Sequence, residues 1–341
     1  MTILSAKVTA TDVARLAGVS QSAVSRVFTP GASASKATAE KVRAAAQHLG
    51  YRPDPLARAM ITGRTRIIGL VVAYLENQFY PLALERLSRA FQERGYHILV
   101  FMAENATEKV AEVVDELIDY QVDGIITASV AMSNDLTARL TSLGIPVVNF
   151  NRGQDDPRVT DVTSDNVAGG RRATDFLIAT GHRRIAHIMG WQGASTGRDR
   201  AEGFRQAHQT ARLEPFAMID GMYSRDTAAA VARALCAYPD RPDAIFVGND
   251  HMAFGVMDEL RFGLGLSVPG DVSIVGYDDV PMAAWPAYSL TTIRQPVNRM
   301  VLATVEAILG QIEGKARPKK TRIDGPLMVR GSARTLEGWT P

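Results

Sequence analysis

Two hydrophobic periodicities divide the chain near residue 60. Before that point, apolar residues recur every three or four positions, which is the spacing of short amphipathic helices. From Arg66 onward, apolar runs such as IIGLVVAY, VDGIITAS and IPVVNFN alternate with helical patterns such as FYPLALERLSRAFQERG, and a second series begins near Asn166. This alternation is typical of βαβ units on a parallel sheet. The pattern therefore predicts a small helical unit followed by an α/β body of two doubly wound lobes, with LTTIRQPV and LMVRGSA crossing back to complete both sheets.

The front of the chain predicts two short helices joined by a tight turn. Thr9 followed three residues later by Asp12 forms a capping-box pattern. Gly18 allows a sharp turn, and Ser20 can accept the free amides that open the second helix. The pattern favours a helix-turn-helix, and an ordinary helical hairpin with a solvated polar face is the alternative for this stretch alone.

The second helix carries side chains suited to contacting DNA. Gln21, Ser22, Ser25 and Arg26 are expected to point outward from its first turns. A helix-turn-helix places such a helix in the major groove, where Gln and Arg make bidentate contacts with base edges. A third helix over residues 36–49 is expected to pack on the first two and complete a three-helix unit.

Residues Val8 to Met60, with VTATDVARLAGVSQSAVSRVF and EKVRAAAQHLGYRPDPLARAM, closely resemble the headpiece of the lactose/galactose repressor family, and the resemblance continues in order to the C-terminus. It implies a transcriptional repressor that binds a pseudo-palindromic operator as a dimer and responds to a small molecule held between two lobes like those of periplasmic binding proteins. The side chains expected to contact DNA are Thr9, Ser20, Gln21, Ser22, Ser25, Arg26, Ser35, Tyr51, Arg58 and Met60.

The segment Leu56 to Ile61 is expected to be a hinge helix. It is only two turns long, too short to be stable alone in water, so the alternative without DNA is an unstructured linker. In the family the equivalent piece folds when two chains meet on the operator, and an apolar residue wedges into the minor groove; by resemblance that residue is Met60. Asp54 stands where the family commonly has Asn, and its carboxylate would repel phosphate.

These patterns and the resemblance predict three regions. Residues 1–53 are expected to form the headpiece, 54–65 the hinge helix and linker, and 66–341 the effector-binding and dimerisation body. Within the body, lobe one is expected to take about 66–164 and 294–325, and lobe two about 165–293 and 326–341.

Candidate effector-binding residues follow the predicted strands, because ligands of doubly wound sheets bind outside the carboxyl ends of strands. Aromatic, Asn, Asp and Arg side chains suit a sugar, a sugar phosphate or a nucleoside. The candidates are Tyr74, Phe79, Tyr80, Ser129, Asn151, Arg200, Tyr223, Asn249 and Asp278. The resemblance supports Arg200 in RDRAEGF, Asn249 in VGNDHMAFG and Asp278 in VSIVGYDDVP. For Arg200 and Asp278, an ion pair is the alternative.

Charge and composition narrow the function further. Residues 1–66 hold ten Lys/Arg against three Asp/Glu, a net charge of +7, whereas the rest of the chain has −5. A basic front suits a polyanion, and a sugar-binding transport protein would lack it.

We find no Gly-rich dinucleotide fingerprint, no phosphate-binding loop and no Cys/His metal spacing, so we expect a binder without cofactor or metal rather than an enzyme. One cysteine and the absence of a signal-like segment lead us to expect a cytoplasmic protein. The tail has no leucine heptads of the kind that form a tetramer in some members of the family, so we expect a dimer.

Overall fold

The computed structural model describes residues 8–29, 32–52, 63–103, 107–130 and 132–335. Contacts divide the chain into two units, one up to Arg66 and one from Ile67 onward, which we call the helical unit and the body. The predicted hinge helix, with Arg58 and Met60, lies outside the described residues.

The helical unit contains α1 (Ala10–Ala17), α2 (Gln21–Phe28) and α3 (Lys36–Leu49). Thr9 and Asp12 form the predicted capping box, and Gly18 ends α1 with a φ of 64°, a conformation that favours glycine. Ser20 and Ser35 cap the next two helices through their side-chain oxygens. A small shared core holds the three helices together; its fully buried members are Val13, Ala14, Val24, Val42, Ala45 and Ala46.

The body is built on two six-stranded sheets. The first has the order β11-β5-β4-β3-β1-β2 and the second the order β12-β10-β9-β8-β6-β7. Every pairing is parallel except that of β10 with β12, which is antiparallel. The strands of the first sheet are β1 (Ile67–Val72), β2 (His97–Met102), β3 (Gly124–Ala128), β4 (Val147–Phe150), β5 (Thr160–Ser164) and β11 (Lys320–Ile323). Those of the second are β6 (Ile185–Met189), β7 (Ala217–Asp220), β8 (Ala244–Val247), β9 (Ser273–Asp278), β10 (Thr291–Arg294) and β12 (Leu327–Met328).

Eight α-helices flank these sheets in the described part of the body. They are α4 (Phe79–Gln92), α5 (Thr107–Asp119), α6 (Asn134–Ser142), α7 (Asn166–Ala179), α8 (Ser195–Ala211), α9 (Arg225–Cys236), α10 (Asp250–Asp258) and α11 (Val297–Ile312). We call the first sheet with its helices lobe one and the second with its helices lobe two. The predicted α/β class with two doubly wound lobes is confirmed. No described helix is both long enough and apolar enough to cross a membrane.

The chain passes between the lobes three times. It leaves lobe one after β5 and returns after β10, where α11 packs on α4, β4 and β5 of lobe one. It leaves lobe one again between β11 and β12. The sequence patterns did not indicate β5, β7 or β11. The strand β5 reads TDVTS and β11 reads KTRI, so polar residues interrupt both, and β7 has only four residues at the edge of its sheet.

Helices α7 and α8 pack at backbone contact, which fixes the position of α8. A Cβ added at Gly170 would lie 2.3 Å from the carbonyl oxygen of Arg200, and one added at Gly203 would lie 2.2 Å from that of Val167. Only glycine permits so close an approach of two helices. Since α8 carries Arg200, this packing also sets the place of that guanidinium.

Candidate functional site

The outer face of α2 presents the side chains predicted to contact DNA. Gln21, Ser22 and Arg26 are exposed, and Ser25 is half-buried. The hydroxyl oxygen of Ser20 accepts a hydrogen bond from the backbone N–H of Ala23 at 3.2 Å. The hydroxyl oxygens of Ser20 and Ser22 lie 2.9 Å apart. The first turn of α2 is therefore held rigidly while its polar side chains remain accessible.

The remaining DNA candidates in the described residues support the helical unit. The hydroxyl of Thr9 donates to the carboxylate of Asp12 at 2.7 Å, and the oxygen of Ser35 accepts from the backbone N–H of Thr38 at 3.2 Å. The rings of Tyr51 and Phe28 lie 6.0 Å apart, between the end of α3 and that of α2. These residues fix helix ends, the positions from which a helix-turn-helix contacts the phosphate backbone.

In the body, polar side chains from both lobes meet at the carboxyl ends of the strands. On lobe one, the amide nitrogen of Asn151 donates to the phenol oxygen of Tyr80 at 3.2 Å, and the rings of Tyr80 and Tyr74 meet edge to face at 5.4 Å. Arg152 Nη2 lies 3.5 Å from the phenol oxygen of Tyr74. The predicted strand-end residues of β1 and β4 thus form one wall.

Arg152 reaches from this wall to lobe two. Its Cζ lies 5.8 Å from the centroid of the Trp191 ring and 6.0 Å from that of Tyr223, both on lobe two. The hydroxyl of Tyr223 donates to Thr196 Oγ1 at 2.8 Å, and nearby the backbone N–H of Gly153 donates to Ser195 Oγ at 2.9 Å across the lobes. Aromatic faces therefore surround a guanidinium at the junction of the two lobes, a region that we call the cleft.

Arg200 is held inside lobe two by several partners at once. Its Nε donates to the side-chain oxygen of Asn166 at 2.9 Å and its Nη1 to the carbonyl of Gly248 at 2.6 Å. The guanidinium lies 3.6 Å from the centroid of the Tyr277 ring, and its Nη2 is 3.7 Å from Asp278 Oδ1. The ion pair given above as the alternative reading is therefore present, and it lies in the cleft.

Asp278 connects the two lobes. Its carboxylate accepts a hydrogen bond from Gln295 Nε2 at 2.7 Å and one from Asn77 Nδ2 at 3.2 Å, and Asn77 belongs to lobe one. Its φ of 133° is rare for a residue with a side chain. Burial raises the pKa of Asp278, and the charge of Arg200 opposes that effect. Asp279 points the other way, to Arg294 and Arg330, as expected for adjacent residues at a strand end.

Asp250, the first residue of α10, lies close enough to Asp278 for the two carboxylates to interact electrostatically. It accepts from Thr292 Oγ1 at 2.6 Å and from the backbone N–H of Val280 at 3.0 Å. It therefore ties α10 to the turn that carries Asp278. Burial and then the charge of Asp278 raise the pKa of Asp250, which favours its neutral form.

Three effector candidates have other contacts. The ring of Phe79 stacks on Phe150 in the core at 6.1 Å. Ser129 Oγ accepts the backbone N–H of Ala73 at 3.0 Å, and Asn249 Oδ1 accepts that of Met252 at 2.9 Å to cap α10. The structure brings together Tyr74, Tyr80, Asn151, Arg200, Tyr223 and Asp278.

Sequence reasoning missed Asn77, Trp191 and Gln295. Asn77 directly precedes the predicted aromatic pair and also accepts the backbone N–H of Phe79 at 3.0 Å, so an Asn just before a helix was the available signal. Trp191 and Gln295 follow strands β6 and β10 and were open to the same strand-end argument.

An open cavity of about 370 Å³ adjoins the aromatic wall, a size in the range of small-molecule sites. It is lined by Tyr74, Glu76, Met222, Tyr223, Ser224, Arg225, Asp226 and His251. The described residues contain no group of three or more His, Cys, Asp or Glu placed to hold a metal ion.

A helix-turn-helix in one unit and a two-lobed body with a polar, aromatic-walled cleft in the other define a ligand-responsive DNA-binding regulator. Residues 9–54 match the model of "Bacterial regulatory proteins, lacI family", and residues 174–333 match a periplasmic binding protein-like domain. The chain belongs to the lacI family of bacterial regulatory proteins, and it is a DNA-binding transcriptional regulator.

Relatives of known name agree over nearly the whole length. The chain is 32% identical over 333 residues to the HTH-type transcriptional repressor PurR of Vibrio vulnificus, covering 95% of this chain and 98% of the relative. It is 33% identical over 328 residues to the ribose operon repressor of Escherichia coli, covering 94% and 98%. The structure of the Lac repressor dimer bound to operator and the anti-inducer ONPF superposes with a TM-score of 0.87 at 26% identity, covering 96% of this chain and 99% of that one. These relatives are transcriptional repressors, not enzymes.

Proposed function

We propose that this chain is a repressor that binds a pseudo-palindromic operator as a homodimer and is controlled by a small molecule in the cleft. One observation carries the proposal: a capped α2 with exposed Gln21 and Arg26 and a cleft containing Arg200 and Asp278 occur in a single chain. The names of the relatives, which include repressors and a repressor dimer on operator, support it.

The proposal keeps the predicted division of the chain. The headpiece would be residues 1–53, with Gln21, Ser22 and Arg26 contacting bases and Thr9, Ser20, Ser25, Ser35 and Tyr51 serving the phosphate backbone. The hinge would be 54–65, with Met60 at the minor groove and Arg58 on the phosphate backbone. The body, 66–341, would hold the effector and the dimer interface. A protein that acts on DNA in a bacterial cell would be found in the cytoplasm.

Exposed apolar side chains on the body support a dimer. Val100 and Met102 on β2 are 38% and 52% exposed, and Phe262 and Trp285 on lobe two are 84% and 52% exposed. Val100 and Met102 are two positions apart on an edge strand, so their side chains share one face, and a contiguous exposed apolar patch commonly marks a protein interface. A second copy of the chain, arranged with two-fold symmetry, would cover them and place one headpiece on each half-site.

The experiment compares base contacts with phosphate contacts. Duplexes are first selected from a random pool by the full-length chain, and affinity is then measured by fluorescence anisotropy at several salt concentrations. Arg26→Ala is expected to lose about 1–3 kcal/mol of preference at one base position. Lys36→Ala, at the exposed start of α3, is expected to weaken all duplexes evenly and lower the salt slope by about 1. Equal effects of both variants on every duplex contradict the assignment of α2, and the absence of any salt-sensitive duplex preference contradicts the function.

A further inference from the structure

We propose that the body has a second ligand site, separate from the cleft, in which arginines of both lobes bind a small polyanion with two or more phosphate or carboxylate groups. The inference goes beyond the proposed function and does not depend on it, because binding at this site is measured without DNA.

The site is an open cavity of about 560 Å³ between the lobes, beside Asp279, which points away from the cleft. Its size is in the range of small-molecule sites. The start of α11 and one turn of α4 form the wall of lobe one, and the residues that follow β9, together with Arg294 and Arg330, form the wall of lobe two. A ligand in this cavity would therefore contact both lobes.

The wall of lobe two holds two arginines on one carboxylate. Asp279 accepts hydrogen bonds from Arg294 Nε and from Arg330 Nη2, each at 2.6 Å. Arg330 Nη1 also donates to the carbonyl of Leu290 at 2.7 Å. The two terminal nitrogens of Arg294 have no hydrogen-bond partner among the described residues, and its side chain is 48% exposed. This wall therefore fixes the place of a guanidinium and leaves its outer donors available to a ligand.

The wall of lobe one holds two further arginines. Arg86 on α4 donates through Nη1 to the side-chain oxygen of Asn298 on α11. The next residue, Arg299, is exposed and makes no hydrogen bond or salt bridge with any residue that the structure describes. The pKa of Asp324 is lowered mainly by its hydrogen bonds to Arg172, 2.9 Å away, and to a smaller degree by the charge of Arg299. Both arginines of this wall thus keep donors for a ligand.

Guanidinium groups on opposite walls favour a ligand with more than one anionic group. The planar fork of arginine matches a carboxylate or a phosphate in bidentate geometry. A single small anion can engage one wall, whereas two linked anionic groups can engage both. The first turn of α11 also opens on this cavity without a side-chain cap, and its backbone amides add to the attraction for an anion.

Gln295 connects this cavity to the cleft. It lines the cavity, its Nε2 donates to Asp278 at 2.7 Å, and its side-chain oxygen accepts from the hydroxyl of Ser164 at 2.7 Å. The cavity therefore has its own ligand-binding side chains and shares one supporting residue with the cleft. A polyanion that bridges the lobes would favour one relative position of them, and with it one geometry of the cleft.

The experiment measures binding to the full-length chain by titration calorimetry at constant ionic strength. The probes are inorganic phosphate, pyrophosphate, citrate and fructose 1,6-bisphosphate, with fructose as the neutral control. The test variant combines Arg86→Gln with Arg299→Gln and removes both arginines of the lobe-one wall. The control variant combines Arg89→Gln with Arg317→Gln, two exposed arginines of the same lobe outside the described lining. Both variants lose the same charge and keep the basic headpiece, so any binding of probes there is equal in the two.

At least one of the three polyanions is expected to bind about 10-fold more tightly than phosphate, and fructose is expected not to bind. The test variant should lower the affinity for that polyanion by about 10-fold or more, because hydrogen bonds to charged groups are lost, and the control variant should leave it unchanged. Arg294→Gln should lower the affinity as well, since it removes donors from lobe two. The pyrophosphate and citrate arms distinguish a phosphate ligand from a carboxylate ligand.

A urea unfolding curve checks that the test variant folds. If it does not, Arg299→Gln alone tests the same wall, because this side chain has no hydrogen bond to a described residue to lose. Three results overturn the inference: no polyanion binds more tightly than phosphate, the test and control variants lose affinity equally, or Arg294→Gln leaves the affinity unchanged. An acidic peptide that binds where no small polyanion does would also overturn it, and would mark a surface for a protein instead.

Discussion

His187 makes the stability of the body depend on pH. The residue lies in the centre of β6, fully buried, with its ring stacked on Phe246 at 4.4 Å and beside Phe204 at 5.0 Å. Its Nδ1 donates to the carbonyl of Phe246 at 2.9 Å, and its buried Nε2 has no hydrogen-bond partner among the described residues. Burial lowers the pKa of His187 to about 3 from an ordinary value of 6.5.

The sign and size of the effect follow from this pKa. The unfolded chain binds a proton below pH 6.5, whereas the folded chain resists protonation until about pH 3, so stability is lost as the pH falls through this window. Between pH 7 and pH 5, His187 is expected to lower the free energy of unfolding by about 2 kcal/mol. Burial also lowers the pKa of His182 and of His208, which act in the same direction, whereas the raised pKa of Asp250 stabilises the folded chain as the pH falls. The contribution of His187 is therefore measured as the difference between the unmutated chain and a His187 variant.

The assay is urea unfolding of the full-length chain at pH 7 and pH 5. Tryptophan fluorescence reports the body alone, because all three tryptophans lie beyond residue 66. His187→Gln is expected to have a lower free energy of unfolding than the unmutated chain at pH 7. Between pH 7 and pH 5, the free energy of unfolding of the variant should fall by about 2 kcal/mol less than that of the unmutated chain. His97→Gln, at an exposed position of β2, should keep the original pH dependence. If His187→Gln loses as much stability as the unmutated chain, burial does not control this titration.

Two further predictions concern the cleft and its support. Gly203→Ala is expected to destabilise the body by about 2 kcal/mol or more in the same unfolding assay, because the new Cβ would clash with the carbonyl of Val167. Gly265→Ala should cost less, since open space surrounds Gly265 and only the strain of its φ of 64° is added. Asp278→Ala is expected to abolish the effect of effector on operator affinity, measured by anisotropy, while operator binding without effector stays intact; loss of both would show that Asp278 serves folding instead.

The sequence predicted the helical unit in most of its detail because its signals are local. A capping box at Thr9 and Asp12, a glycine at residue 18 and serines before two helices each act within one turn of backbone. The alternating pattern predicted both sheets, since buried parallel strands require continuous apolar runs.

The cleft was less predictable because its contacts join residues distant in sequence. Asn77 and Asp278 are 201 positions apart, and the sequence alone does not say which lobe faces which. The candidates Phe79, Ser129 and Asn249 have residue types that suit a ligand, but their described contacts serve core packing, a backbone N–H after β1 and a helix end, respectively. The short polar strands β5 and β11 escaped notice because their places in the sheet come from neighbouring strands.

The three passages between the lobes have a consequence for synthesis on the ribosome. Lobe one needs α11, whose buried side chains include Met300, Val305 and Ile308, and its edge strand β11 ends only at Ile323. Until nearly the last residues emerge, the nascent body therefore exposes the apolar face that α11 covers in the folded protein. The helical unit, in contrast, can form its own core once about residue 50 has emerged. Truncated translation products are expected to contain a folded helical unit attached to an unfinished, aggregation-prone body.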